Sequence, residues 1–114
     1  MASPTLSSLI VLKTEEIDKE VTKKSAGVYA LDATSERGFT FSYVGRSDDN
    51  VAGRLKTYVG TKCKFFKFAY CSSPKSAFEA ECELYHDKQP KDNINHPDRP
   101  DGSGWKCPRC TKFD

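Results

Sequence analysis

The sequence contains no long hydrophobic run and has little net charge. No apolar stretch approaches the roughly 18 residues that span a bilayer, so we expect no membrane association. The apolar patch at residues 9–12 is too short for the core of a signal peptide, and the charged stretch 13–24 follows it. An intracellular location, cytoplasmic or nuclear, is therefore expected. The formal net charge of +2 neither requires nor excludes a nucleic-acid partner.

Internal repeats and long low-complexity segments are also absent, and 114 residues are too few for a second independent core. We expect a single domain in three parts. A lead-in with a short helix occupies residues 1–25, the core occupies 26–93, and a tail occupies 94–114. Proline and glycine interrupt regular structure over most of this tail, so something must hold it against the core.

Residue patterns predict an α+β fold with a small, mainly antiparallel three-stranded sheet flanked by helices. Strand-forming composition marks residues 26–32, 39–44 and 62–70, the first two forming a hairpin. Capping residues and apolar spacing predict helices at residues 14–24, 51–58 and 74–88. Ser73 and Pro74 are typical of a helix start, with serine as the N-cap and proline in the first turn.

Glu81 occupies an anomalous position on the last predicted helix. Four apolar residues project within roughly 60° of it when the helix is drawn at about 100° per residue: Ala77, Phe78, Leu84 and Tyr85. A carboxylate in the middle of an apolar face is costly unless it is paired, hydrogen-bonded or bound to a metal. Either a buried arginine or a functional site must therefore account for Glu81.

Three groups of residues, met in order along the chain, resemble the motifs of the GIY-YIG nuclease family. The first two are the tripeptides Gly-Val-Tyr at 27–29 and Tyr-Val-Gly at 43–45. The third consists of single residues further along: Arg54, Tyr58, Glu81, Pro90 and Asn93. The resemblance covers about residues 26–93. A tyrosine four residues after the arginine is similar to the excision-repair branch of the family, whereas phage homing endonucleases use histidine.

The resemblance implies a metal-dependent endonuclease that hydrolyses phosphodiester bonds in DNA. Its predicted catalytic residues are Tyr29, Tyr43, Arg54, Tyr58, Glu81 and Asn93. Glu81 would hold one Mg²⁺ or Mn²⁺ ion, because such ions prefer oxygen ligands and keep waters that leave room for a phosphate. Arg54 would clamp the phosphate, since a planar guanidinium matches its oxygens in two-point contact.

In this interpretation each tyrosine has a separate role in catalysis. Tyr58 is the expected general base, and a tyrosine with the usual pKa of about 10 needs nearby cations to ionise at neutral pH. Tyr29 and Tyr43 are expected to hydrogen-bond the attacking water and to frame the pocket. Asn93 is expected to position Glu81 or the loop beside it.

The five cysteines form an odd set, and a chain without a secretory leader is not expected to form disulfides. Cys107 and Cys110 have the spacing of a zinc knuckle, but a closed zinc site needs four ligands and no second Cys-x-x-Cys pair exists. Cys82 and His86, four apart on one side of the predicted helix, complete a hypothetical Zn²⁺ site. His96 is the alternative ligand, because it precedes the knuckle in the same irregular segment. Ordinary reduced cysteines are the other interpretation.

Two alternatives to the nuclease stay open at this point. One is a noncatalytic, zinc-stabilised module on the same fold that binds nucleic acid or a protein, and the other is a bare zinc-binding adaptor. The chain has no room for the large DNA-binding domain that family members usually carry. A nuclease of this size is therefore expected to recognise branched DNA, to cut with little sequence preference, or to obtain specificity from a protein partner.

Overall fold

The computed structural model describes residues 5–32, 41–93 and 96–113. Within these ranges the chain has the predicted α+β fold, with four strands and three helices. The strands are β1 (Ile10–Val11), β2 (Gly27–Asp32), β3 (Tyr43–Ser47) and β4 (Phe65–Tyr70). The helices are α1 (Thr14–Glu20), α2 (Val51–Lys56) and α3 (Pro74–Lys88).

The strands form one antiparallel sheet in the order β1-β4-β2-β3. The prediction of three strands is wrong, because the two-residue strand β1 is a fourth. Residues 9–12 have an extended, apolar pattern, but such a short pattern does not show whether the segment pairs with a neighbour. In the structure Ile10 lies opposite Phe66, and the backbone N–H of Leu12 donates to the carbonyl of Lys64 at 2.8 Å. β1 therefore covers one edge of β4.

β2 and β3 pair in antiparallel register, as predicted, with Tyr29 opposite Gly45. β3 spans Tyr43–Ser47, whereas the predicted strand covered residues 39–44; residues 39 and 40 and the predicted loop 33–38 lie outside the described ranges. The extension beyond residue 44 matters, because it places Arg46 on the strand. β4 begins three residues later than predicted.

Helix α3 begins where the sequence predicted, because local hydrogen bonds specify its first turn. The Ser73 hydroxyl accepts from the backbone N–H of Ser76, and the Ser76 hydroxyl accepts from the backbone N–H of Ser73. This reciprocal pair is a capping box, and Pro74 occupies the first turn. The helix ends at Lys88, with Gln89 in the left-handed conformation at φ 46°.

The other two helices are shorter than predicted. α1 ends at Glu20, and α2 ends at Lys56, which leaves Tyr58 in the turn that follows α2. The start of α2 agrees with the prediction, because the Asn50 side chain accepts from the backbone N–H of Gly53 at 3.1 Å and so caps the helix.

Side chains along β2 alternate between two cores, so all six of its residues are buried. Tyr29 and Leu31 belong to the core that α1 and α2 cover. Val28 and Ala30 belong to the core that α3 covers. The central strand therefore carries side chains to both faces of the sheet.

The tail packs along α3 through a third apolar cluster. The ring of Phe78 lies with its centroid 5.9 Å from those of Trp105 and Phe113. Cys82 and Cys107 are buried in the same cluster. Among the helices of the described ranges, none is long and apolar enough to cross a membrane.

Candidate functional site

A cavity of about 240 Å³ brings together residues that are far apart in the sequence. Its walls come from β2, β3, the segment after β3, α2, α3 and the tail: Tyr29, Tyr43, Gly45, Arg46, Asp48, Arg54, Glu81 and Asp98. Four of the six predicted catalytic residues line it. The remaining two, Tyr58 and Asn93, contact the strands and side chains that form its walls.

The three predicted tyrosines form one aromatic cluster. The ring centroid of Tyr58 lies 5.7 Å from that of Tyr29 and 5.8 Å from that of Tyr43. The hydroxyl of Tyr29 donates to the hydroxyl oxygen of Tyr58 at 3.2 Å. Burial, followed by the interaction with Tyr58, raises the pKa of Tyr29, and the same two causes raise the pKa of Tyr43 to about 12. Tyr29 and Tyr43 are therefore neutral hydrogen-bonding groups at physiological pH.

Gly45 provides the space that the Tyr29 ring occupies. A Cβ atom at position 45 would lie 2.5 Å from the Tyr29 hydroxyl oxygen and 2.6 Å from its Cζ. Tyr29 is only 1% exposed, so its ring is closely surrounded and cannot move aside freely. The glycine of the Tyr-Val-Gly tripeptide is thus required by packing against the tyrosine of the other tripeptide.

Glu81 is buried at the cavity wall, with 7% of its surface exposed. Its Oε1 accepts a hydrogen bond from Nη1 of Arg46 at 2.7 Å. Burial raises the pKa of Glu81, and the guanidinium of Arg46 opposes this rise. The buried arginine partner that the sequence left open is therefore present, and Glu81 also faces a cavity.

Three lining residues were not identified from the sequence: Arg46, Asp48 and Asp98. The need of Glu81 for a cationic partner was a signal for an arginine, and Arg46 directly follows the Tyr-Val-Gly tripeptide. Asp48 accepts from Nε of Arg46 at 3.0 Å. Asp98 lies in the irregular tail, and only the packing of that tail on α3 brings it to the cavity.

Arg54 reaches the cavity from α2, where its backbone follows the capped first turn. Its guanidinium carbon lies 5.9 Å from the centroid of the Tyr58 ring. A hydrogen bond to the hydroxyl of Tyr29 raises the pKa of Arg54 further. A permanent cation therefore stands beside the tyrosine cluster.

Asn93 acts on the backbone of β3. Its Oδ1 accepts from the N–H of Val44 at 2.9 Å, and its Nδ2 donates to the carbonyl of Val44 at 3.0 Å. The backbone N–H of Asp92 donates to the carbonyl of Ser42 at 2.7 Å. Asn93 thus pairs with β3 as a neighbouring strand would, and it holds the segment that carries Tyr43 rather than contacting Glu81.

A second group of side chains, which we call the Cys/His cluster, joins α3 to the tail. It consists of His86, His96, Cys107 and Cys110, whose ligand atoms all lie within 4.8 Å of one another. Nε2 of His86 lies 3.3 Å from Nε2 of His96 and 3.4 Å from Sγ of Cys107. Sγ of Cys110 lies 3.3 Å from Nε2 of His96. This cluster could bind a metal ion such as zinc.

Three of the distances between ligand atoms in the cluster, at 3.3 to 3.4 Å, are close to the edges of a coordination tetrahedron. Zinc bonds of about 2.0–2.1 Å to nitrogen and about 2.3 Å to sulfur give edges of roughly 3.3 to 3.8 Å. Nδ1 of His96 lies 2.7 Å from the carbonyl oxygen of Pro97, which can only accept, so this nitrogen carries the proton and Nε2 presents its lone pair. The backbone N–H of Arg109 lies 3.4 Å from the sulfur of Cys107 and points to it. Both contacts orient ligand atoms toward a common centre.

The fourth member of the cluster is His96, the alternative ligand, and not Cys82. Cys82 is fully buried in the apolar cluster with Phe78 and Cys107. Desolvation by burial, followed by the neighbouring Cys107 thiol, raises the pKa of Cys82, which disfavours the thiolate that a metal requires. The helical spacing placed Cys82 on the correct side of α3, but the tail returns nearer to His86, one turn further along.

Arg109 fastens the tail to α3 beside the Cys/His cluster. Its Nη1 donates to Oε1 of Glu83 at 2.9 Å and also to Oδ1 of Asp87. These two hydrogen bonds raise the pKa of Arg109. The tail is thus held to the helix by apolar packing, by ion pairs and by the Cys/His cluster.

Comparison of the chain with protein-family models, curated proteins and solved structures gives no match. The resemblance to GIY-YIG nucleases therefore rests on the residues and motifs of the sequence itself.

Proposed function

We propose that this protein is a metal-dependent nuclease that hydrolyses phosphodiester bonds in DNA. The observation that carries the proposal is that Tyr29, Arg54 and Glu81, from three different elements, line one cavity. These are the same residues that the sequence motifs indicate. A cation, a buried carboxylate and hydroxyl groups in one cavity are the parts that phosphodiester hydrolysis needs.

Glu81 is the residue that would hold a divalent ion such as Mg²⁺ or Mn²⁺. The cavity presents oxygen donors, and Mg²⁺ typically binds one or two carboxylates together with waters and substrate phosphates. The guanidinium of Arg46, at 2.7 Å from Oε1, already places one positive charge on Glu81 at the cavity wall. A bound divalent ion would polarise the phosphoryl oxygens and activate water.

The chain's own residues divide the remaining tasks. Arg54 binds a non-bridging oxygen of the phosphate and stabilises the charge that develops there. Tyr58 is assigned as the general base, whose phenolate form would take the proton from the attacking water and become the neutral phenol; the guanidinium carbon of Arg54 lies 5.9 Å from the centroid of its ring. Tyr29 and Tyr43 have raised pKa values, which suits them to donate hydrogen bonds and not to act as bases.

A noncatalytic DNA-binding or protein-interaction module on this fold is the second candidate. The ion pair between Glu81 and Arg46 favours it, because the pair satisfies the buried carboxylate without any metal. The two candidates differ in one expectation. Only the nuclease is expected to break phosphodiester bonds when a divalent ion is supplied.

The experiment is an incubation of the purified chain with supercoiled plasmid, branched DNA and single-stranded RNA. Each substrate is tested with Mg²⁺, with Mn²⁺ and with a chelator. The nuclease proposal expects nicking or cutting of at least one DNA substrate that requires the divalent ion. DNA binding without cleavage of any substrate under all conditions would favour the noncatalytic module.

For the Cys/His cluster we propose a zinc ion with a structural role. Two thiolates and two imidazoles in a closed tetrahedral arrangement suit Zn²⁺. The tail between residues 96 and 113 has no regular helix or strand, so a bound ion supplies order that backbone hydrogen bonding does not. Elemental analysis should find about one zinc per chain, lost in Cys110→Ser and retained in the matched control Cys71→Ser. A wild-type chain without zinc contradicts this assignment.

A further inference from the structure

Arg46 is held between two carboxylates at the wall of the cavity. It donates to Glu81 at 2.7 Å and to Asp48 at 3.0 Å, and its guanidinium carbon lies 5.2 Å from the centroid of the Phe78 ring. Only 14% of its side chain is exposed. The guanidinium therefore occupies space beside Glu81 in which a divalent ion bound to the same oxygen would have to fit.

We propose that Arg46 acts as a cationic gate on Glu81. In the DNA-free protein its guanidinium suppresses the binding of a divalent ion to Glu81, and it moves off Glu81 when a backbone phosphate enters the cavity. The inference rests on the proposed function, since it concerns the metal that Glu81 would hold there. Two cations that share one carboxylate repel each other, and a partly buried site screens that repulsion less than open water does. The gate thus lowers the affinity of the free protein for the ion.

A DNA phosphate is negatively charged, as Glu81 is, and can therefore accept hydrogen bonds from the Arg46 guanidinium in place of Glu81. Arg46 also lines the neighbouring groove of about 740 Å³, which Arg54 borders as well. A phosphate bound between these two guanidinium groups draws Arg46 away from Glu81 and adds negative charge beside the ion. Ion and DNA therefore bind cooperatively, and linkage requires each to raise the affinity for the other by the same factor.

The test measures Mn²⁺ binding by the electron paramagnetic resonance signal of the free ion, so it needs no cleavage. The full chain is supplied with one equivalent of Zn²⁺ and kept at about pH 8, well above the usual carboxyl range. Arg46→Gln is expected to bind Mn²⁺ about tenfold more tightly than the wild type, and Arg46→Lys, which keeps the charge, is expected to stay close to the wild type. Arg54→Gln is the matched comparison, because it removes a guanidinium of the same cavity that does not contact Glu81.

A second arm repeats the titration with a phosphorothioate DNA duplex, which is cleaved slowly. The duplex is expected to tighten Mn²⁺ binding by the wild type and to have a smaller effect on Arg46→Gln. Arg46→Met, whose apolar chain can still pack on Phe78, replaces Arg46→Gln if circular dichroism shows that the latter is unfolded.

The outcomes separate this inference from the nuclease proposal. If Glu81→Gln abolishes Mn²⁺ binding while Arg46→Gln equals the wild type, the gate is wrong and the metal site at Glu81 stands. If Glu81→Gln binds Mn²⁺ as the wild type does, the ion is not at Glu81, and both the gate and the metal site fail. Tighter binding by Arg46→Gln without any DNA cleavage supports the gate and contradicts only the nuclease.

Discussion

Gly45 lies directly opposite Tyr29 in the pairing of β3 with β2, and a methyl group at position 45 would overlap the Tyr29 ring. The two tripeptides that carry the family resemblance thus pack against each other with complementary shapes. One supplies the ring that reaches the cavity, and the other supplies the gap in which this ring lies.

This relationship predicts that Gly45→Ala destabilises the protein by about 1 to 3 kcal/mol, the usual cost of overpacking a core. The ring of Tyr29 is buried and cannot move without disturbing the core around it. Gly53→Ala is the comparison, and a smaller loss is expected there, because its new Cβ would meet the end of the Asn50 side chain, which caps α2, rather than a buried ring. Urea unfolding of the two variants measures the difference. A Gly45→Ala variant as stable as the wild type would show that the close approach at Gly45 has no energetic importance.

The proposed roles of the tyrosines predict that removing the hydroxyl of Tyr58 lowers the cleavage rate more than removing the hydroxyl of Tyr43. Tyr58→Phe should reduce the cleavage rate about a hundredfold or more, because it removes the proposed base. Tyr43→Phe should reduce the rate only several-fold, roughly the loss of one hydrogen bond. Rates are compared at saturating divalent ion on whichever DNA substrate is cleaved. Tyr58→Phe with the wild-type rate would remove Tyr58 from the mechanism.

The raised pKa of Tyr43 predicts a loss of stability at alkaline pH. The folded pKa is about 12 and the reference value is 10.0, so the folded state retains the proton more tightly. The resulting stabilisation is fully present below pH 10 and is lost as the pH rises from about 10 to about 12. The free energy of unfolding should therefore fall over this window. The fall should be smaller in Tyr43→Phe, and an identical fall in both proteins would show that Tyr43 does not cause it.

The ion pairs of Arg109 predict that Arg109→Ala weakens the attachment of the tail. The variant loses charge-assisted hydrogen bonds to Glu83 and Asp87, so we expect a small loss of stability, because Arg109 is exposed and solvent screens its ion pairs. Lys106→Ala, an exposed substitution in the same segment, should be close to neutral. Limited proteolysis reports on the tail, and we expect faster cleavage of Arg109→Ala after residue 96. Equal proteolysis of both variants would show that apolar packing and the Cys/His cluster suffice.

Much of the fold was predictable from short-range patterns, because these patterns report local chemistry. The capping box at Ser73 and the asparagine cap at Asn50 set the starts of α3 and α2 within a single turn. The strand β1 was missed because two residues carry no periodicity, and its pairing with β4 depends on the rest of the sheet. The predicted ends of α1 and α2 lie beyond the observed ends, because no strong helix-stop residue directly follows either helix.

The candidate site was predictable where a single residue conflicted with its surroundings. Glu81 on an apolar face required an explanation, and both its partner and its cavity are visible in the structure. Arg46 was not identified, because an exposed and a buried arginine look alike in sequence. The choice between Cys82 and His96 depended on the path of the tail, which proline and glycine leave unspecified, and so only the fold decided it.

Metal-dependent cleavage of DNA at Glu81 is tested by comparing the cleavage rates of Glu81→Gln and Glu79→Gln with Mg²⁺. Both substitutions remove one carboxylate from α3, but only Glu81 lines the cavity. Glu81→Gln should lose at least about a thousandfold in rate, because a metal ion contributes several kcal/mol to transition-state stabilisation. Glu79→Gln should cleave at the wild-type rate. Equal cleavage by the two variants, with both folded, would show that Glu81 does not hold the metal ion for cleavage.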